Sequence, residues 1–411
     1  MRILFITEEI PYPLDTGGNV RTFNLIKSLA KRHKIVLIAT SRRAVDESTK
    51  IALTSVCHKL QIVRLKTPRI VSDVVAFIKS FFTGCSMILS RHRYRPVIKA
   101  IRAEFAVQTG GSEDASLCRI DAVYFNHLDA AVYDSEIPRD LYRTLDEHNV
   151  VANQVSSLLT AEKNTVRRML LRRELHALRK VEPYLCNQMN FCSTCSSIDA
   201  EMLRSLGVTV ALNEIPNGVD LSIFTWNKNI TERAHEIIFF GTMDYPPCEQ
   251  GMWHFLTRIF PFIRTADSEL SINIVGRNPS VRLADFASSC PSVKLAGRVP
   301  DVRLYVQRAK VCIVPLLSGS GTRLKILEAF ALGTPVVSTS IGAEGLEVVN
   351  GRHLLIADDP RHFADNVLKL VRDTEQSFLL SKHARNLVEE KYDWNKIGND
   401  LLGHYEKFSV R

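Results

Sequence analysis

The stretch VCIVPLLSGSGTRLKILEAFALGTPVVSTS, residues 311–340, decides the fold. An apolar, β-branched run, VCIVPL, enters four small residues, Ser318, Gly319, Ser320 and Gly321, and a helical pattern follows from about Thr322 to Leu332. Gly333 caps that helix, Pro335 lies just beyond it, and a second β-branched run, PVVSTS, resumes. This is strand, helix, strand. Leu324, Ile326, Leu327, Ala329, Phe330, Ala331 and Leu332 leave almost no polar face, which predicts a helix buried between other elements. Lys325 and Glu328 nevertheless share one of its sides. A buried carboxylate is costly unless it is paired or well hydrogen-bonded, so Glu328 needs partners.

The same alternation extends outward in both directions. EIIFFG, LSINIVG and VKLAGRV precede the stretch, and RILFIT, KIVLIAT, QIVRLK, DAVYFN, YRTLDEH and NFCST form an earlier series separated by helical patterns. Alternating strands and helices predict an α/β protein with two doubly wound parallel sheets in tandem. Pro216, Asn217 and Gly218 form a turn signal between the two series, which puts the seam near residue 220. The closing pattern NKIGNDLLGHYEKF presents Ile397, Leu401, Leu402 and Tyr405 as an apolar face that must dock.

Composition fits this reading. The 411 residues are too many for one ordinary core, and 45% hydrophobic with 24% charged residues excludes disordered and low-complexity classes. A formal charge of +9 favours an anionic partner, of which a nucleotide is one. The 9 cysteines are scattered with no dense framework, so reduced thiols and a cytoplasmic location are expected. Cys192 and Cys195 have a C-x-x-C spacing without a second pair to complete a metal site, and read as small core thiols. The greasiest window, IVSDVVAFIKSFFTGCSMILS, is interrupted by Asp73 and Lys79 and falls short of a membrane span; at most it lies on a surface.

In doubly wound sheets ligands bind beyond the carboxyl ends of the strands. Two loops there draw attention. Gly17 and Gly18 immediately precede a helix, offering backbone N–H groups to a phosphate, or simply a turn. The Ser320–Thr322 entrance can do the same, with Arg323 in the first turn either reaching an anion or lying solvated. Glu328 either pairs with Lys325 or accepts from ligand hydroxyls while Lys325 holds phosphate. A dinucleotide fingerprint fails, because Leu324 stands where the third glycine belongs and no acid ends the strand PVVSTS. A Walker-type phosphate loop is also lacking.

At this point the residues resemble the retaining nucleotide-sugar glycosyltransferases of family 4, which have the GT-B fold. The resemblance runs through the paired glycines, LDEHNV at 145–150, IPNGVD at 215–220, FFGTMDYPP at 239–247, INIVGR at 272–277, AGRVPDVRLYV at 296–306 and RLKILEAFALGTPVVST at 323–339. It implies two Rossmann-like domains facing a central cleft: residues 1–220 for the acceptor, 221–390 for the nucleotide sugar, and a C-terminal helix, 391–411, crossing back to the first domain. Gly17, Gly18, Lys325 and the Ser320, Gly321, Thr322 entrance would grip the diphosphate. Glu328 matches the second glutamate of the family's E-x7-E pair, which binds the ribose. Arg277, Arg298 and Val299 match positions near the phosphates and base, and His148 matches an active-site histidine beside the transferred sugar. No metal or cofactor is implied; the donor would be UDP- or GDP-linked, with fixed positive groups stabilising the leaving diphosphate.

Two departures stand out. Ser320 occupies the place of the pair's first glutamate, so donor-sugar identity does not carry over, and GTMDYPPCEQG lacks the basic pair that many relatives carry after this strand. Gripping then falls on Lys325, Arg277 and Arg323. RRMLLRRELHALRK and RHRYRPVIKAIR offer either docking on an anionic membrane, where a lipid-linked acceptor would be met, or solvated helices packed by a leucine stripe. Nucleic acid is excluded as a partner, since basic residues are not interleaved with stacking aromatics. The expected activity is transfer of a sugar to a saccharide or lipid-linked hydroxyl in surface polysaccharide or glycolipid synthesis. A non-catalytic GT-B scaffold, or an epimerase or phosphorylase on the same fold, is the alternative.

Overall fold

The computed structural model describes residues 1–106, 119–227, 233–319 and 321–409. The chain divides into two compact units: Met1–Pro216 with Gly398–Arg411, and Asn217–Ile397.

The first unit is built on β1 (Arg2–Thr7), β2 (Lys34–Ser41), β3 (Lys59–Arg64), β4 (Ala122–Asn126), β5 (Tyr142–Glu147), β6 (Phe191–Thr194) and β7 (Ala211–Glu214). They form one seven-stranded sheet in the order β3-β2-β1-β4-β5-β6-β7, every neighbouring pair parallel. Strands buried on both faces explain why RILFIT and AVYFN read as continuous apolar runs. The leucine stripe of the helix Thr165–Asn187 packs inward, with Leu175 and Leu178 buried, while Arg167, Arg168 and Arg172 are exposed. The last helix, Trp394–Ser409, gives Leu401, Leu402 and Tyr405 to this unit's interior, and the Tyr405 hydroxyl lies 3.0 Å from Thr144 Oγ1.

The second unit carries β8 (Ala234–Phe240), β9 (Ser271–Val275), β10 (Val293–Gly297), β11 (Ala309–Val314), β12 (Val336–Ser338) and β13 (Leu355–Ile356) in a parallel sheet ordered β10-β9-β8-β11-β12-β13. Its core includes Phe239, Phe255, Phe260 and Phe330. The buried helix of the opening stretch spans Leu324–Ala331, shorter than the predicted Thr322–Leu332. Arg323 is its N-cap in an extended conformation (φ −87°, ψ 91°), so the turn begins two residues late. Gly333 has φ +74°, as a left-handed cap requires, and a Cβ there would collide with Trp226. The thiols of Cys192 and Cys195 are free and buried.

In both sheets the strand order reverses once: between β1 and β4, and between β8 and β11. Such a reversal splays the loops that leave the strands' carboxyl ends, and opens a crevice there in each unit.

Candidate active site

In the first unit the carboxyl ends of β1, β2 and β4 and the loop after β5 surround a cavity of about 850 Å³. Register explains its floor. Thr7 pairs with Asn126, Asn126 with Asp146, and Asp146 with Ser193, so a row of four polar side chains crosses the buried sheet. The two outer pairs are hydrogen-bonded: the Asn126 amide donates to Thr7 Oγ1 at 3.1 Å, and the Ser193 hydroxyl donates to Asp146 Oδ1 at 2.6 Å. Arg21, fully buried on the helix Gly17–Leu29, donates to both Asp146 oxygens at 2.8 and 2.6 Å, and to the Ile215 carbonyl at 2.7 Å. Burial acts to raise the Asp146 pKa, but the Arg21 charge and hydrogen bonds from His148 and Arg21 hold it far below the usual carboxylate range.

His148 stands on this floor. Its Nε2 lies 3.1 Å from Asp146 Oδ2 and 3.1 Å from Asn126 Oδ1, both acceptors, so Nε2 carries the proton. Burial lowers its pKa despite the opposing pull of Asp146, leaving the ring neutral and Nδ1 an acceptor. Nδ1 is on the side of Gly18, where a Cβ would come within 3.9 Å of it. Gly18 and His148, far apart in sequence, thus line one cavity, with Gly17 beside them as the first helical residue.

His127 also lines this cavity. Its ring centroid is 5.4 Å from that of His148, and its backbone is held at φ +71°, unusual for a side chain of this size. From it a chain of titratable side chains runs outward: His127 Nδ1 to Asp129 at 3.6 Å, Asp129 to His92 Nε2 at 3.6 Å, and His92 Nδ1 to Glu8 at 3.4 Å. Burial and Asp129 act oppositely on His127 and its pKa rises; burial acts against the charged form of Asp129, but His127 and His92 bring it down to about 2. Arg42, Arg43, Arg69 and Arg91 also line the cavity, and Arg91 Nε donates to His92 Nε2 at 2.9 Å.

In the second unit the matching crevice is knitted by glycines. The Gly241 N–H donates to the Val275 carbonyl and the Gly276 N–H to the Gly297 carbonyl, both at 2.9 Å, and a Cβ on Gly276 would overlap the Gly241 carbonyl. Gly241 (φ +148°) also makes room for Lys325: a Cβ there would sit 2.7 Å from its Nζ. That ammonium rests 3.4 Å from Cys248 Sγ and 4.2 Å from the centroid of the Phe239 ring, a cation–π arrangement. The structure therefore brings Lys325 to the ends of β8 and β9, where Arg277 follows β9.

The ion pair between Lys325 and Glu328 does not form. The Glu328 carboxylate, half-buried, makes no hydrogen bond or ion pair among the described residues. Burial pushes its pKa up to about 7, with Lys325 opposing only in part. Arg323 is not solvated: it is buried, and folds back to donate to the Gly321 carbonyl at 2.5 Å. Gly319, at φ +116°, leaves the space, since a Cβ would stand 2.9 Å from Arg323 Nη2. Thr322 presents a buried hydroxyl with no hydrogen-bond partner among the described residues. Arg298 is exposed, Val299 packs against the core, and Ser320 lies outside the described residues.

Glu328 carries a prediction on stability. Its folded pKa exceeds the unfolded value, so its contribution is most favourable below about pH 4.3 and is lost as pH rises through about 7. Glu328→Gln should therefore melt above the wild type at pH 8, with the difference closing by pH 5. Equal melting temperatures at both pH values would show that the carboxylate is not desolvated.

Two parallel sheets with these crevices define the GT-B fold, and solved structures agree. Sucrose-phosphate synthase from Thermosynechococcus elongatus superposes with a TM-score of 0.70 at 16% identity, covering 100% of this chain and 99% of that one. HepE of Anabaena, in complex with UDP and glucose, gives 0.67 at 12% identity, covering 99% of this chain and 100% of that one. Residues 234–373, about a third of the chain, match the family described as glycosyl transferases group 1. A 44.6 kDa protein in the cps region of Klebsiella pneumoniae is 22% identical over 98% of this chain and 99% of its own length. A phosphatidyl-myo-inositol mannosyltransferase of Mycobacterium leprae is 26% identical over 47% of this chain; the match spans 53% of that protein, about half its length.

Proposed function

We propose that the chain transfers a sugar, with retention and without a metal, from a nucleoside-diphosphate sugar to a hydroxyl acceptor in surface-polysaccharide or glycolipid synthesis. The observation that carries the reading is Glu328. A carboxylate kept half-buried without a protein partner, one turn from a fixed ammonium, is costly to the fold. A ribose diol beside a diphosphate supplies what both groups lack: two hydroxyls to donate to Glu328 and an anion for Lys325. Arg277 and the Gly321–Thr322 entrance adjoin them, and the Thr322 hydroxyl is a further donor to phosphate.

The first-unit cavity takes the acceptor. The neutral His148 Nδ1 accepts from a sugar hydroxyl there, and the negative floor under the ring fixes its tautomer. Fixed positive groups stabilise the departing diphosphate, which itself takes the acceptor's proton. A relative encoded in a cps region supports a polysaccharide role, and a neighbour solved with UDP supports a UDP-linked donor.

Calorimetric titration of UDP, GDP, ADP and dTDP tests the assignment. One nucleotide should bind well, and Glu328→Ala should weaken it by at least about tenfold, or ~1.4 kcal/mol. Binding unchanged in the variant would remove Glu328 from the ribose site. Failure of all four nucleotides would favour the non-catalytic scaffold, for which Ser320 in place of a glutamate is the motivating residue.

A further inference from the structure

The helix Arg69–Thr83 is amphipathic the wrong way round for a helix of a protein interior. Only Ala76 and Ser80 are buried, and its bulky apolar residues face outward, among them Val74, Val75, Ile78 and Phe81, with Ile70 77% and Phe82 81% exposed. At 100° per residue these positions fall on one continuous stripe, and the small buried residues fall opposite. The inward side is secured by polar contacts: the Ser80 hydroxyl donates to the Cys85 carbonyl at 2.7 Å, and Arg173 donates to Ser80 Oγ at 3.0 Å. The apolar face is therefore outward by construction, and contiguous exposed apolar area of this kind marks an interaction surface.

Arg173 ties this helix to Thr165–Asn187, its guanidinium also lying 5.8 Å from the centre of the Phe81 ring. The first turns of that second helix expose Val166 and Met169. They also expose Arg167, Arg168 and Arg172, while Arg69 and Lys79 flank the first stripe. The acids nearby, Asp73 and Glu162, each face an arginine, Arg69 and Arg167, at 3.9 Å. The helix is too short to cross a membrane, and no described helix is long and apolar enough to do so.

We infer that this face docks on an anionic phospholipid bilayer, with the helix lying in the interface and the surrounding arginines on lipid phosphates. Charge selects this occupant over a second copy of the chain. A two-fold contact would bring the same arginines face to face, whereas anionic headgroups neutralise them. Continuity supports it too: Arg69 and Asp73 of the helix also line the His148 cavity, together with Arg42, Arg43 and Arg91. The docked helix thus brings the arginines that line that cavity to headgroup level, where a phosphate-bearing lipid can present its sugar. The docking itself does not depend on the transferase reading.

Co-sedimentation of the full chain with vesicles tests it without turnover. The wild type should pellet with phosphatidylcholine vesicles that contain phosphatidylglycerol, less with phosphatidylcholine alone, and less at high salt. Phe81→Ser/Phe82→Ser and Arg168→Glu/Arg172→Glu should each lower partitioning by about tenfold or more. All four residues are exposed, so the melting temperatures should match the wild type. A wild type that stays in the supernatant with both vesicles, or variants that pellet as it does, would overturn the proposal. So would a dimer in sedimentation equilibrium that Phe81→Ser/Phe82→Ser converts to monomer.

Discussion

Lys325→Ala should lower kcat/KM for the nucleotide sugar by about 10²–10³-fold, equivalent to ~3–4 kcal/mol of lost transition-state stabilisation. The expectation rests on how the ammonium is held. Cys248 Sγ at 3.4 Å and the Phe239 ring at 4.2 Å fix its position without neutralising it, and no carboxylate forms an ion pair with it among the described residues. A charge kept unneutralised at the carboxyl end of a sheet is ready for an anion whose charge grows as the sugar departs. Removing it should therefore depress kcat more than it weakens donor binding. Since no ion pair is broken, the variant should fold normally, and single-turnover transfer by the purified variant reads chemistry alone. Full activity would sink the assignment and leave the diphosphate to Arg277 and the loop amides.

The strand-loop-helix-strand stretch from Val311 was legible because buried parallel strands and a helix apolar on nearly every side leave unmistakable patterns. β7 and β13 escaped, the first at four residues of which none is buried and the second at two, too short to show any period. Glu328 was identified as a carboxylate in need of a partner; that Lys325 turns to Cys248 and Phe239 depends on Gly241 and Gly276, whose close approach is a tertiary fact. The burial of Arg323 was hidden for a similar reason, since it depends on the φ of Gly319. The row Glu8, His92, Asp129 and His127 joins three separate segments of the chain, and each member alone resembles an ordinary polar residue. The helix Arg69–Thr83 shows a different limit: hydropathy reveals an apolar window, but only the fold reveals which side of it faces the protein.

Arg21→Met should destabilise the chain by about 3–5 kcal/mol, the cost of leaving one member of a fully buried ion pair without the other. Asp146 would retain the Ser193 hydroxyl and His148, neither of which replaces a two-pronged guanidinium. The pH dependence identifies the cause. In the wild type the folded pKa of Asp146 lies below its unfolded value of about 3.9, so its stabilisation is present above that pH and is lost as pH falls toward the folded value. Without Arg21 desolvation dominates and the folded pKa rises above the unfolded one, reversing the sign: the variant loses stability as pH rises. The gap between the two proteins should thus be widest near neutrality and shrink below pH 4, which denaturant melts at pH 7 and pH 3.5 would reveal. A pH-independent gap would point instead to the packing of the arginine stem. Adding Asp146→Leu to Arg21→Met should recover much of the loss, because it removes the stranded charge; a double variant no more stable than Arg21→Met would show that the pair is not the source. The recovered protein should remain inactive, since the same carboxylate that binds Arg21 holds the proton on His148 Nε2 and keeps Nδ1 an acceptor toward the cavity.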